Sequence, residues 1–210
     1  IDKTGKNNDG TSALDFDLEE GKRGTSCYCH LAPVEWKEKK INFIDTPGYM
    51  DYVGEEVTGL YVGDNALIVI DGKEGVEPGT LRAWKEAVSK RKLPTIFFVN
   101  KLDDPMADFD AILSDLREKY GSSVIPFEVP IYEGDKIVGS VNVLRRKAWY
   151  IANPKEPKPV PEDLQDKVEE YYGEIAEAIS MTDDALLEKF SNEEEYDEHE
   201  LAKGLRIGVR

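Results

Sequence analysis

Two short polar runs, each at the end of an apolar stretch, carry the chemistry this sequence can do. The first, Asp45-Thr46-Pro47-Gly48-Tyr49, follows Ile41-Asn42-Phe43-Ile44. An aspartate at the carboxyl end of a strand, with a glycine turn into a helix behind it, can hold a hydrated Mg²⁺ and present a backbone N–H to a phosphate. The second, Asn100-Lys101-Leu102-Asp103, follows Thr95-Ile96-Phe97-Phe98-Val99. A carboxylate there can accept two hydrogen bonds, from the N1–H and the amino group of guanine. Adenine lacks that donor pair and would leave the charge unpaired. The Lys101 stem can cover the flat base, and Asn100 can fix the loop. Either run alone is a weak signal. Their order, and the 55 residues from Asp45 to Asn100, which leave room for an intervening α-β-α-β, make the pair a strong one.

The elements that must position these runs are legible in the hydrophobic pattern. Ile41–Ile44, Ala66–Ile70 and Thr95–Val99 are short, β-branched or aromatic, and not amphipathic, which predicts strands buried on both faces of a parallel sheet. Between them, Val53, Val57, Leu60 and Tyr61 recur at helical spacing, as do Leu81, Trp84 and Val88. Met106, Phe109, Ile112, Leu113 and Leu116 line a further helix that Gly121 can close. Strands alternating with helices imply βαβ units and a right-handed parallel α/β layer.

From about Val124 the pattern changes. Residues 124–131, 136–144 and 147–151 read as strands, with Glu133-Gly134-Asp135 a tight hairpin connection. Four prolines between Asn153 and Pro161 predict an extended connection rather than a regular element. A long helix follows Pro161, whose Glu162 and Asp163 suit a positive first turn. Two shorter helices are expected near residues 182–190 and 196–205, the first capped by Thr182.

Composition bounds what such a protein can be. The 210 residues carry a net charge of −16, and residues 151–210 alone hold 17 acidic and seven basic side chains. So acidic a chain offers no broad phosphate-neutralising surface, which argues against free DNA or RNA as a primary partner. It could meet a basic protein or simply remain solvated. No apolar stretch approaches the roughly 20 residues that cross a bilayer, so no membrane partner is expected. Cys27 and Cys29 supply too few ligands for a disulfide framework or a zinc site, and read as reduced, small apolar residues packed on a strand in a cytoplasmic protein. Two histidines, His30 and His199, exclude a histidine-rich metal site. Trp84 and Trp149 read as core anchors, and Trp36 as surface cover over a hairpin near residues 37–40.

These motifs, in this order, resemble translation elongation factor G and its relatives, the translational GTPases. Arg23-Gly24-Thr25-Ser26 resembles switch I, Asp45–Tyr49 switch II, and Asn100–Asp103 the guanine-specificity loop. Gly75-Val76-Glu77-Pro78 resembles the segment after the family's next strand, and the region from about Val129 its inserted subdomain. The resemblance implies an α/β fold: a P-loop-NTPase-type parallel sheet flanked by helices, lacking its first strand and phosphate loop, with an inserted β-hairpin and helical subdomain. Residues 1–128 would form a partial GTP-binding domain and 129–210 the acidic insert.

Function follows as a set of expectations from the same resemblance. The intact protein would bind GTP or GDP with Mg²⁺ and hydrolyse GTP to drive ribosomal translocation, in the cytoplasm. Its partners would be the ribosome, including the ribosomal stalk protein, and the guanine nucleotide. Ser26 and Asp45 would hold the metal; Gly48, Asn100, Lys101 and Asp103 would bind nucleotide; Tyr49 would occupy the catalytic position. The metal-side and base-side carboxylates are expected to converge on one nucleotide-shaped cleft.

Departures from the family's pattern matter as much. Each Gly-Lys pair, at Gly5, Gly21 and Gly72, is followed by Asn, Arg or Glu, so no Gly-x-x-x-x-Gly-Lys-Ser/Thr loop occurs. The chain therefore reads as an internal segment that starts downstream of that loop and is inactive alone, with a slot beside its strands that closes up or is filled by another segment. Ser26 stands where the family has Thr, keeping the hydroxyl and losing a methyl. Tyr49 stands where the family has the His that positions the attacking water, and a phenol is a poor base near neutral pH. A second functional class is thus open: a ribosome-binding or protective factor that does not turn GTP over.

Overall fold

A computed structural model describes residues 12–208. The chain forms two compact units, one comprising residues up to Ile68 together with Pro78–Ile96, the other Val69–Glu77 together with Phe97 onward.

In the first unit, helix α1 (Leu18–Arg23) is short but closed at both ends. The Asp17 carboxylate accepts from the Glu19 N–H at 2.8 Å, the Glu20 carboxylate accepts from the Asp17 N–H, and Gly24 ends the helix in the left-handed region at φ 66°. Strands β1 (His30–Trp36) and β2 (Lys39–Asp45) follow as an antiparallel hairpin that pairs His30 with Asp45 and Trp36 with Lys39. Its two-residue turn places Lys37 and Glu38 at φ 46° and 61°, the twist that matches a right-handed hairpin, here without a glycine. Trp36 lies exposed beside it, with the Lys37 ammonium 6.0 Å from its ring. A 3-10 turn at Met50–Tyr52 leads into α2 (Val53–Val62).

Strand β3 (Ala66–Asp71) begins in the first unit and ends in the second. Helix α3 (Pro78–Trp84), with proline first, where its missing N–H costs nothing, runs on into a π-helical stretch at Lys85–Lys90. Strand β4 (Thr95–Asn100) pairs with β3. The pairing is parallel, fixed at one end by Ala66 N–H to Pro94 O at 2.9 Å and at the other by Gly72 N–H to Asn100 O at 2.7 Å.

In the second unit, α4 (Phe109–Tyr120) starts at Asp108, whose carboxylate accepts from the Ala111 N–H at 3.0 Å. Its Ile112 and Leu116 pack on Ile70, Phe97 and Val99, one face of the β3–β4 pair. A four-stranded antiparallel sheet follows in sequential order: β5 (Glu128–Glu133), β6 (Lys136–Asn142), β7 (Lys147–Tyr150) and β8 (Asn153–Lys158). Helices α5 (Gln165–Ser180), α6 (Asp184–Ser191) and α7 (Glu198–Gly208) complete it. Val129, Val143, Ile175, Ile179, Leu186 and Leu201 form the main core. Each such aliphatic side chain contributes about 1.5–3 kcal/mol by leaving water. Gly204 lets α7 settle against α5, because a Cβ there would lie 2.6 Å from the Cβ of Ile179.

The α/β class, the parallel pairing and the hairpin-and-helix module agree with the sequence reading. Several details do not. The three apolar runs are not buried on both faces. Ala66, Ile68 and Ile70 are buried, but Leu67 and Val69 are 51% and 57% exposed, and on β4 Ile96 and Phe98 are 57% and 53% exposed. Only one face of the pair is covered by α4. Strand β2 is mostly exposed, and among the described residues its ladder is the antiparallel one with β1.

The proline-rich stretch forms β8, an exposed edge strand; Pro154 and Pro157 fall between the residues that pair with β7, where no N–H is called for. The N-cap of α6 is Asp183, accepting from Ala185 N–H at 3.0 Å, while the Thr182 hydroxyl turns back to the Ile179 carbonyl. Cys27 and Cys29 lie in the segment before β1, not on a strand, and Trp84 and Trp149 are only half-buried.

Candidate functional site

The residues expected to bind metal lie where α1, the β1–β2 hairpin and the start of α2 meet, all in the first unit. Asp45 is the last residue of β2 and is half-buried. Burial pushes its carboxyl above the ordinary range, the negative charge of Asp15 adds to this, and His30 opposes it. The Ser26 hydroxyl donates to Asp15 Oδ1 at 2.6 Å. Asp15 thus bonds the Ser26 hydroxyl and lies near enough to Asp45 for its charge to act on that carboxyl. Hydroxyl and carboxylate oxygens such as those of Ser26, Asp15 and Asp45 are the hard donors that Mg²⁺ takes.

Around it, Glu20 is almost fully buried, and both its oxygens face the His30 imidazole Nε2, at 3.0 and 2.9 Å. The same carboxylate accepts the N–H groups of Asp17, Cys27 and Tyr28. One side chain thus caps α1 and fixes the backbone immediately after Ser26. Burial raises the Glu20 pKa, but the hydrogen bonds from Cys27, His30, Tyr28 and Asp17 outweigh it and leave the carboxyl below its usual range. Cys29 ties this segment to α2: its N–H donates to Glu55 Oε2 at 2.8 Å and its thiol to the Glu55 carbonyl at 2.9 Å. Burial, then the Glu55 contact, pushes the thiol up to about 11, so it is inert at neutral pH.

Gly48 and Tyr49 are both exposed. Nothing lies within 4 Å of where a Gly48 Cβ would sit. The Gly48 carbonyl accepts from Arg82 Nη2 at 3.3 Å. Tyr49 opens the 3-10 turn, its carbonyl accepting from Tyr52 N–H at 3.0 Å. Helix α2 approaches the strand end closely at Gly59, where a Cβ would meet Thr46 Cγ2 at 2.6 Å and Ile44 Cγ2 at 3.3 Å.

The base-side residues belong to the second unit. Asn100 ends β4, and its carbonyl accepts from Gly72 N–H. Lys101 is left-handed at φ 58°, and its ammonium meets Asp71 Oδ2 at 2.6 Å. That contact raises the lysine pKa and, with the N–H groups of Lys73 and Glu74, lowers that of Asp71. The Lys101 carbonyl accepts from Asp104 N–H at 3.1 Å, closing a turn that leaves the Asp103 carboxylate exposed. Asn100, Lys101 and Asp103 are thus displayed on one loop. Sequence reasoning missed its two supports, Asp71 and Gly72. The available signal was the Asp-Gly pair closing the apolar run 66–70.

Residues 1–200 match the elongation factor Tu GTP binding domain family. The chain belongs to that family. It is also similar to a protein of Thermus thermophilus known from its crystal structure, with 34% identity and a TM-score of 0.89 over 100% of this chain and 32% of that one. A bacterial selenocysteine-specific elongation factor, EF-Sec, matches over 52% of this chain and 20% of its own, with 22% identity and a TM-score of 0.46. The chain thus spans about a third of the length of the Thermus protein. The family is one of GTP-binding domains of elongation factors. Among the described residues no helix is long and apolar enough to cross a membrane.

Proposed function

We propose that the protein containing this chain is a GTP-dependent translation factor of the elongation factor G type, hydrolysing GTP on the cytoplasmic ribosome to drive translocation. The observation carrying the finer assignment is the acidic module that follows the guanine loop, residues 129–210. It resembles the insert of those factors, and its charge suits a basic protein partner such as the ribosomal stalk.

The residues divide the work by chemistry. The Asp103 carboxylate accepts from N1–H and the amino group of guanine, while the Lys101 stem, held by Asp71, covers the base. Gly48 offers its N–H to the terminal phosphate, and Tyr49 hydrogen-bonds the attacking water. Ser26 and Asp45 hold Mg²⁺, which when bound neutralises charge on the phosphates. The chain alone, without a phosphate-binding loop, binds guanine nucleotide weakly; micromolar GDP affinity in calorimetry would contradict this.

Titrating the intact protein with a fluorescent GTP analogue tests the main reading. Wild type binds and prefers guanine over adenine nucleotides, and Asp103→Asn loses most of that preference. Ribosome-stimulated turnover separates the translocating GTPase from a ribosome-binding factor that does not hydrolyse, the reading that tyrosine at position 49 keeps in play.

A further inference from the structure

Arg82 and Glu56 form a half-satisfied pair beneath switch II. Arg82 projects from α3 and Glu56 from α2, with side chains 17% and 8% exposed, both in the first unit. Arginine meeting carboxylate normally lays two N–H groups against two oxygens. Here Nε and Nη2 both fall on Glu56 Oε2, at 3.0 and 2.7 Å. Glu56 Oε1 and Arg82 Nη1 are buried without a partner. Leaving a buried donor and acceptor unpaired is costly. A guanidinium turned to meet both carboxylate oxygens would recover Oε1. The observed orientation instead sends Nη2 on to the Gly48 carbonyl at 3.3 Å.

We infer that Arg82 is a positioning residue for the catalytic loop: Glu56 holds its guanidinium so that Nη2 fixes the Gly48–Tyr49 peptide. The inference rests on the proposed GTPase reading of that loop. A peptide unit is planar, so holding the Gly48 oxygen also sets the Tyr49 N–H and Cα. Tyr49 is itself exposed and opens a 3-10 turn, so this contact defines the direction in which its side chain leaves the backbone. Arg82 touches neither nucleotide nor water in this role. It acts through Tyr49, where a misplacement of about 1 Å can cost on the order of a hundredfold in rate.

The test uses Arg82→Met in the intact protein, which keeps the apolar stem and removes the donors. In nucleotide-free protein, hydrogen exchange at the amides of residues 49–53 rises about tenfold, while exchange along the β1–β2 hairpin stays at the wild-type level. In single turnover on ribosomes at saturating GTP, hydrolysis falls about tenfold or more, while GDP affinity stays within about twofold. Unchanged exchange at 49–53 overturns the inference, as does a hydrolysis loss matched by an equal loss of affinity. If Arg82→Met does not fold, Arg82→Lys replaces it: the ammonium keeps the charge beside Glu56 but lacks the planar fork whose Nε contact with Glu56 aims Nη2 at the Gly48 carbonyl, so the same split is expected, and wild-type exchange and rate overturn the inference. A wild type that neither binds nor hydrolyses GTP sinks the GTPase reading instead, while the exchange result still decides whether Arg82 holds the loop.

Discussion

Gly72 and Asn100 are joined by a short backbone hydrogen bond: the Gly72 N–H donates to the Asn100 carbonyl at 2.7 Å, and a Cβ on Gly72 would come within 2.8 Å of that oxygen and 3.1 Å of the Lys101 carbonyl. Both neighbours are backbone, so neither can swing aside. Gly72→Ala is expected to lower stability by about 1–3 kcal/mol, the cost of overpacking a tight site. Because the displaced atoms begin the guanine loop, nucleotide affinity of the intact protein should fall as well. Urea unfolding and a GDP titration check the two effects.

Tyr49→His places an imidazole where a phenol stands. If water positioning limits turnover, ribosome-stimulated single-turnover hydrolysis in the intact protein should rise about tenfold or more, within the range general acid–base groups supply. No gain would mean that Tyr49 already works adequately in its own surroundings.

Glu20 governs an acid limb. Its folded pKa is depressed below the unfolded value, so its contribution to stability is present above the unfolded pKa, near 4.5, and is lost as pH falls through the lower folded value. Glu20→Gln should therefore destabilise the protein above about pH 4.5 and flatten the loss of stability on acidification below it. Thermal melts of wild type and variant from acidic to neutral pH distinguish this from a pH-independent packing defect, in which the two curves stay parallel.

In the C-terminal helices, the Tyr196 hydroxyl donates to the Leu186 carbonyl at 2.7 Å in a buried site. Tyr196→Phe keeps the ring and removes the donor, leaving that carbonyl without its partner. A loss of about 1–2 kcal/mol in denaturant unfolding is expected, with no change in guanine nucleotide binding.

What the sequence disclosed, and what it withheld, divides by the range of the interaction. The loop Asn100–Asp103, the turn at Glu133-Gly134-Asp135 and the helix ending at Gly121 are written locally, in a run of apolar residues with a punctuating polar or glycine residue behind it. The hairpin turn near residues 37–40 was legible too, but the length of the β1–β2 ladder was not, since β1 carries Pro33 and Glu35 and shows no clean alternation. Strand β8 was hidden by its prolines, which an edge tolerates and a central strand does not. Exposure of Leu67, Val69, Ile96 and Phe98 depends on what covers the second face of the sheet, which the pattern of a strand cannot report.

The supports of the candidate site were illegible for the same reason. Asp15 with Ser26, Glu20 with His30, Glu56 with Arg82 and Asp71 with Lys101 are pairs 10 to 30 residues apart in sequence, and no spacing rule couples them. The motif residues could be named from type and order alone. The side chains that hold them in place could not.

The bare α-carbon of Gly59 limits how switch II can travel. With methyl groups of Thr46 and Ile44 seated where a side chain would project, α2 has no clearance to roll about its own axis or slip along β2. A displacement of Gly48 would then fall on the 3-10 turn at Met50–Tyr52 before it reached the packing of the helix against the strand end.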